Sequence, residues 1–368
     1  MQATDVPVPK NWGWLMKRKV QVAGSQLVTV VLLEAREATL IECEIASAGE
    51  IKRCADQTWD PAPYQTDSNG QRLLEEIERR LLAFWKERGR EPAGIVISLP
   101  GTLQGIDTIR SSSRLGIRES VGVTKWMQER LKKKCHVFHD VECLAIGENR
   151  YVVAPDCENT GSQCLVYIFA DEGVGAKIIM NGLAYVGAGV AGILGRLIVQ
   201  PDGAYYKALR SSGALEVFAS RPWVSERLVS TYQSEEGKRG SSYAVSEGSK
   251  FRKALRIASE RDWTEIPYDR IADGIAEGDP VADAVLEVAA RYLGFAINSV
   301  ITILNPHRIV LGGRMITELP GFPDRVVRYA RQLSWPLAWN QTDISISKLG
   351  RDAQFYGAVE LWRTVQSP

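Results

Sequence analysis

The chain has 368 residues, enough for two domains of ordinary size that each bury a core. With 45% hydrophobic and 24% charged residues it is globular in composition, which excludes a disordered or collagenous protein. Its net charge of +1 removes any global electrostatic case for nucleic-acid or membrane binding. Six cysteines, at 43, 54, 135, 143, 157 and 164, form no C-x-x-C pair and have no histidine pair nearby, so the sequence makes no case for structural zinc.

The opening MQATDVPVPK lacks an apolar signal core, and the expected setting is cytoplasmic, with reduced thiols. The longest apolar run, at 182–196, is Gly-rich and too short to span a bilayer, so no membrane partner is expected. After a Pro- and Trp-containing leader at 1–26, LVTVVLL at 27–33 predicts a buried strand, TLIECEIAS at 39–47 a second, and 48–50 a turn. Helical spacing of Leu73, Leu74, Ile77, Leu81 and Phe84 predicts a helix over 71–88, stopped by Gly89. GIVISLPG at 94–101 reads as a buried strand, 121–134 as a helix, and 136–138 as a strand leading to Asp140.

Further on, 163–169 and 178–180 predict a hairpin around the glycine-rich DEGVGAK, and the polar 234–242 a mobile loop. A helix over 279–304 starts near Pro280 and ends before Pro306; 309–313 is a strand into a glycine turn, and 353–365 a final helix. Early strand pairing, then alternating helices and strands in a pattern that repeats, predicts an α/β chain of two related halves. Ligands of such folds lie beyond the carboxyl ends of the strands. Asp140 stands at such an end, where a carboxylate serves as an N-cap, a binding group or a general base; the three stay open.

Nine pieces in order resemble the ROK family of sugar kinases and sugar-responsive repressors: GIVISLPG (94–101), SRLGIRE (113–119), DVECLAIGE (140–148), GVGA (173–176), NGLAYVG (181–187), PDG (201–203), GALE (213–216), LNPHRIVLGG (304–313) and GAVE (357–360). The likeness runs over residues 27–365. It implies a two-domain, actin-like sugar-kinase (ribonuclease-H-like) α/β fold with a ligand cleft between the domains. The N-terminal α/β domain would cover 27–145, with helix 353–366 docking back onto it. The larger C-terminal α/β domain would cover 146–345, with a polar mobile loop near 232–250. GAGVAG at 187–192 also fits the dinucleotide fingerprint, but it follows a hairpin and has no acid about twenty residues on.

In the family an Asn-Asp pair holds the sugar, and the Asp is the general base on the attacking hydroxyl. Here the pair is His139-Asp140, so the resemblance makes Asp140 the catalytic candidate; of the candidate substrate-binding set His139, Asp140, Arg114, Arg196 and Glu216, only Asp140 and Glu216 match the family's ligand contacts. The phosphate loops depart from the family. Its D-x-G-G-T becomes EAREA at 34–38, which loses both glycines and the hydroxyl and adds a charge that repels phosphate. Its second loop becomes DEGVG at 171–175, keeping Gly173 and Gly175 but adding two acids; with Gly312 and Gly313 these are the candidate nucleotide contacts. Mg-ATP is expected only of a working kinase. The family's A-G-E-x-G-H becomes AGILGR at 191–196, and its cysteine cluster becomes LRSSGALE at 209–216, so no zinc is expected while Glu216 keeps its sugar-binding position. Arg196 either grips an acidic ligand or pairs with Asp171, Glu172 or Glu216; His139 is either a packed histidine or an acid/base group.

Three functions follow. The first is a sensor or pseudokinase that binds a small sugar-like, in one version anionic, ligand in the cleft with little ATP phosphotransfer. The second is an ATP-dependent hexose or amino-sugar kinase with Asp140 as base. The third is a repurposed enzyme using Asp140 and Arg196. The family's repressors carry an N-terminal helix-turn-helix, for which the Pro-rich leader is too small, so no direct DNA-binding module is expected. The resemblance implies a homodimer.

Overall fold

The computed structural model describes residues 25–46, 49–153, 164–203, 205–206, 211–238, 249–260 and 265–366. The leader lies outside the described residues except for 25 and 26, as do Cys157 and residues 239–248 of the expected mobile loop. The described chain divides into two compact units, the first within Met1–Thr160, Asn181–Ala191 and Arg351–Pro368, the second within Gly161–Met180 and Gly192–Gly350.

The first unit is built on a five-stranded sheet. Strands β1 (Gln26–Leu33), β2 (Ala38–Ile45) and β3 (Ile51–Trp59) form an antiparallel meander. After helix α1 (Gln71–Arg88), β4 (Gly94–Leu99) adds parallel to β1. Following α2 (Val123–Leu131), β5 (Lys134–His139) adds parallel to β4, giving the order β3-β2-β1-β4-β5. Every residue of β4 is buried, as its unbroken apolar run requires of a strand covered on both faces. Sequence reading had no strand at Ile51–Trp59. This edge strand reads IKRCADQTW and is mostly exposed, so it is held by backbone pairing rather than an apolar pattern.

Helix α3 (Asp140–Glu148) leaves β5 without a loop and packs on the C-terminal helix, labelled α9 below. The expected domain boundary at 145/146 therefore cuts a helix that belongs whole to the first unit.

In the second unit, β6 (Cys164–Ala170) and β7 (Val174–Met180) make an antiparallel hairpin. Its second strand starts four residues earlier than the sequence predicted, because backbone pairing with β6 continues through Val174, Gly175 and Ala176. Helices α4 (Arg221–Lys238), α5 (Lys250–Glu260), α6 (Tyr268–Ala276) and α7 (Pro280–Leu304) follow. Then β8 (Arg308–Gly312) adds parallel to β6, and after α8 (Phe322–Leu333), β9 (Asp343–Ile346) adds parallel to β8. Residues 234–238, expected in a mobile loop, instead complete α4; its buried Val224, Leu228 and Tyr232 recur every fourth residue, a helical stripe. Helix α7 is long and apolar enough to cross a membrane, but it also buries twelve residues, among them Val285, Ala289 and Leu293, in the core around β6 and β8. The chain closes with α9 (Asp352–Gln366), which belongs to the first unit.

Each unit thus pairs an opening antiparallel hairpin with two parallel strands, the repeat seen in sequence.

Candidate functional site

In the first unit, Leu99 at the end of β4 pairs with His139 at the end of β5, so the Asp140 region lies at the carboxyl edge of two neighbouring parallel strands. His139 is extended (φ −70°, ψ 137°) and is itself the N-cap of α3; Asp140 is the first helical residue. The strand runs one residue further than predicted, which moves the cap from the carboxylate to the histidine. The Val141 N–H lies 2.7 Å from Asp140 Oδ1 and 3.2 Å from His139 Nδ1, and that Nδ1 is 3.1 Å from the same Oδ1.

Asp140 is only 7% exposed. An ionised carboxylate has about four lone-pair sites, and Oδ2 takes no hydrogen bond among the described residues. The residue is buried while Oδ2 keeps its acceptor capacity, so the carboxylate is able to accept a ligand hydroxyl.

A second loop is stapled to the same edge. Ser112 Oγ donates to the Pro100 carbonyl, just past β4, at 2.6 Å, and accepts from the Leu115 N–H at 3.3 Å. Ser112 and Ile117 also exchange backbone hydrogen bonds of 2.8 and 2.9 Å. Gly101 is required there, with φ +147° and a Cβ position only 2.7 Å from the Ser111 carbonyl. Arg114 is half-buried in this loop.

The turn between β1 and β2 carries EAREA. The Glu34 N–H donates to the Glu37 carbonyl at 2.8 Å, and Arg351 pairs with both side-chain carboxylates, 3.4 Å from Glu34 and in close contact with Glu37. Beside them is an open cavity of about 220 Å³, walled by Glu34, Glu37, Arg53, Asp56, Arg351 and Asp352. In the resemblance this is the first phosphate loop; here it presents four carboxylates and two guanidiniums.

In the second unit, Asp171 heads the β6–β7 turn and is buried. Its Oδ1 accepts from the Tyr268 hydroxyl at 2.5 Å, and its Oδ2 accepts from the Arg314 N–H, next to Gly313, at 3.4 Å. Burial pushes the Asp171 carboxyl up from its ordinary range, against the pull of the Tyr268 hydrogen bond. Burial also raises the Tyr268 hydroxyl, with the Asp171 charge adding to it. Arg221 and Arg314 lie 4.7 and 4.5 Å from the centre of the Tyr268 ring, and Arg221 pairs with Glu172 at 2.6 Å and Glu265 at 3.2 Å.

The candidate nucleotide glycines have packing reasons of their own. A Cβ on Gly312 would stand 1.9 Å from the Tyr167 hydroxyl, and one on Gly313 (φ +92°) 2.3 Å from the Ala170 carbonyl. Gly173 is buried in the turn, its carbonyl accepting from the Asp171 N–H at 3.0 Å, and Gly175 pairs with Phe169 across the hairpin.

Glu216 Oε2 accepts from the Val174 N–H at 3.3 Å, tying this candidate to the same turn, and Gly195 leaves room for it. Arg196 ends a short 3-10 helix, Leu194–Arg196, and is exposed. Asp171 and Glu172, two of the partners expected for Arg196, bond to Tyr268, Arg314 and Arg221.

The first unit thus brings together His139, Asp140 and the Arg114 loop; the second brings together Asp171, Gly173, Gly313 and Glu216. Sequence reading missed Arg351, Tyr268 and Arg314. The first follows Gly350 without a motif, and the other two act through contacts distant in sequence. Among the described residues no group of three or more His, Cys, Asp or Glu side chains could hold a metal ion.

The ROK family model matches residues 41–365. The chain is 25% identical over 269 residues to the DNA-binding transcriptional dual regulator NagC of Escherichia coli K12, covering 70% of this chain and 57% of that protein. It therefore spans little more than half the length of that relative. It is 25% identical over 320 residues to a glucokinase of Halalkalibacterium halodurans, covering 85% of this chain and 88% of that protein. Among solved structures, a ROK glucokinase from Streptomyces griseus in complex with glucose and AMPPNP superposes with a TM-score of 0.69 at 18% identity, covering 91% of this chain and 98% of that one. A ROK transcriptional regulator, a homolog of E. coli MLC, also gives 0.69, at 20% identity, covering 93% and 81%. These structural likenesses establish the fold, the two-domain actin-like α/β architecture of ROK sugar kinases. With a family model matched across nearly the whole chain, this protein belongs to the ROK family.

Proposed function

We propose that this chain binds a small sugar-like molecule and works as a ligand sensor, a pseudokinase with little or no ordinary phosphotransfer from ATP. The observation that carries the reading is the Glu34–Arg351–Glu37 turn. Where the family cradles a triphosphate with glycines, this chain holds two carboxylates and a guanidinium that already neutralise one another in part. Asp171 supports it from the second loop, where an internal carboxylate already takes the Arg314 N–H beside Gly313. On the ligand side, Asp140 keeps an unspent acceptor and Glu216 keeps its place. The reading carries a homodimer and no zinc, both taken from the family likeness and the loss of its cysteines.

A second reading is favoured by the glucokinase relative, which aligns over 85% of this chain. There Asp140 is the general base of an ATP-dependent hexose or amino-sugar kinase.

Thermal shift separates them, because a ligand that binds only the folded state raises the melting temperature by mass action. The sensor reading expects a rise with a sugar or sugar derivative, diminished in Asp140→Asn, and none with Mg-ATP. A saturable rise with Mg-ATP favours the kinase.

A further inference from the structure

Three arginines of the first unit are not exposed among its described residues: Arg80, Arg114 and Arg363. Arg80 pairs with Glu76 at 2.5 Å and Arg363 with Glu360 at 2.8 Å. Among the described residues Arg114 forms neither an ion pair nor a side-chain hydrogen bond. The other two arginines held partly out of water in this unit each have a carboxylate partner, while the Arg114 head stays open to whatever reaches the loop.

We propose that the counter-charge is supplied by the ligand: Arg114 reads an acidic group, and the molecule bound is an anionic sugar derivative rather than a neutral hexose. The inference rests on the reading above, in which Asp140 accepts a ligand hydroxyl. Placement supports it. The loop bearing Arg114 is stapled through Ser112 to Pro100, the residue after Leu99, and Leu99 is the strand partner of His139. Adjacent strands lie about 4.8 Å apart, so the loop and the Asp140 carboxylate share one edge of the sheet.

The loop is also fixed. Leu115 and Ile117 are buried at 0% and 1% exposure and Ile117 is bridged to Ser112, so Arg114 is carried on an ordered support. Arg114 and Asp140 do not pair with each other, so each keeps its capacity: a five-donor fork for a carboxylate or phosphate, and an acceptor for a hydroxyl. Carboxylate and phosphate present the same chemistry to this fork, and the two arms of the test tell them apart.

The test is calorimetric titration of the full chain with glucose, glucuronate and glucose 6-phosphate, in wild type, Arg114→Gln, Arg114→Lys and Asp140→Asn. A charge-assisted hydrogen bond makes the preferred acid bind roughly ten- to a hundredfold tighter than glucose. Arg114→Gln collapses that gap, Arg114→Lys keeps part of it, and Asp140→Asn weakens every sugar that binds. The better acid names the group as carboxylate or phosphate. Glucose binding as tightly as both acids, or a gap that survives in Arg114→Gln, overturns the assignment while leaving the sensor reading standing. Failure of all three sugars to bind wild type sinks both.

Discussion

The Tyr268 hydroxyl donates to the buried carboxylate of Asp171 at 2.5 Å, closing the second loop with an internal anion. Burial raises the Asp171 carboxyl, so the folded chain holds its proton more tightly than the unfolded chain does. The sign follows: stability from this group falls as pH rises from the unfolded value, about 3.9, through the raised folded one. Asp171→Asn removes the titration. The melting temperature of the variant minus that of wild type should therefore increase between pH 4 and pH 7. A difference independent of pH would contradict the assignment.

Helices α3 and α9 touch backbone to backbone. A Cβ on Gly357 would stand 1.7 Å from the Cys143 carbonyl, and one on Gly147 2.0 Å from the Ala353 carbonyl. Neither obstacle is a side chain that can swing away, so Gly357→Val forces the helices apart. Overpacking of this kind costs about 1–3 kcal/mol or more. Because α3 begins at Asp140, ligand affinity should fall along with the urea midpoint.

The Arg252–Asp279 pair is buried on both sides, each side chain 8% exposed, and Asp279 also caps α7 by accepting from the Val281 N–H at 2.8 Å. Arg252→Met leaves the carboxylate buried without its main counter-charge and should cost about 3–5 kcal/mol. Adding Asp279→Ser keeps a cap and removes the stranded charge. Chemical denaturation of the double variant should show less than the sum of the single losses.

The Arg351 bridge behaves differently, being 54% exposed with its partners at 44% and 45%. Arg351→Ala should change stability by no more than about 1 kcal/mol. It should also leave the chain unable to bind Mg-ATP, because the freed Glu34 and Glu37 repel phosphate. Appearance of nucleotide binding in this variant would show the bridge to be a removable lock.

What the sequence made legible depended on burial. The runs at 27–33 and 94–99 are apolar because both faces of their strands are covered, and they read directly as strands. Strand β3 sits at an edge and carries Lys52, Arg53, Asp56 and Gln57, so it left no apolar signal. Helix α4 did carry its stripe of Val224, Leu228 and Tyr232, obscured by the polar residues between. Asp140 in the first unit and Glu216 in the second were legible through motifs. Arg351, the partner of Glu37, and Tyr268, the partner of Asp171, were not, because they lie 314 and 97 residues from those carboxylates, beyond any local pattern.

In the proposed function the turns at 34–38 and 171–175 do not serve ATP. Its most direct test follows transfer of the γ-phosphate from radiolabelled Mg-ATP to a panel of neutral and acidic sugars, alongside equilibrium binding of Mg-ATP to the same preparation. The expected result is no labelled sugar above the protein-free background and no saturable nucleotide binding at millimolar concentration. Turnover to a sugar phosphate that disappears in Asp140→Asn would contradict it and make the chain a kinase.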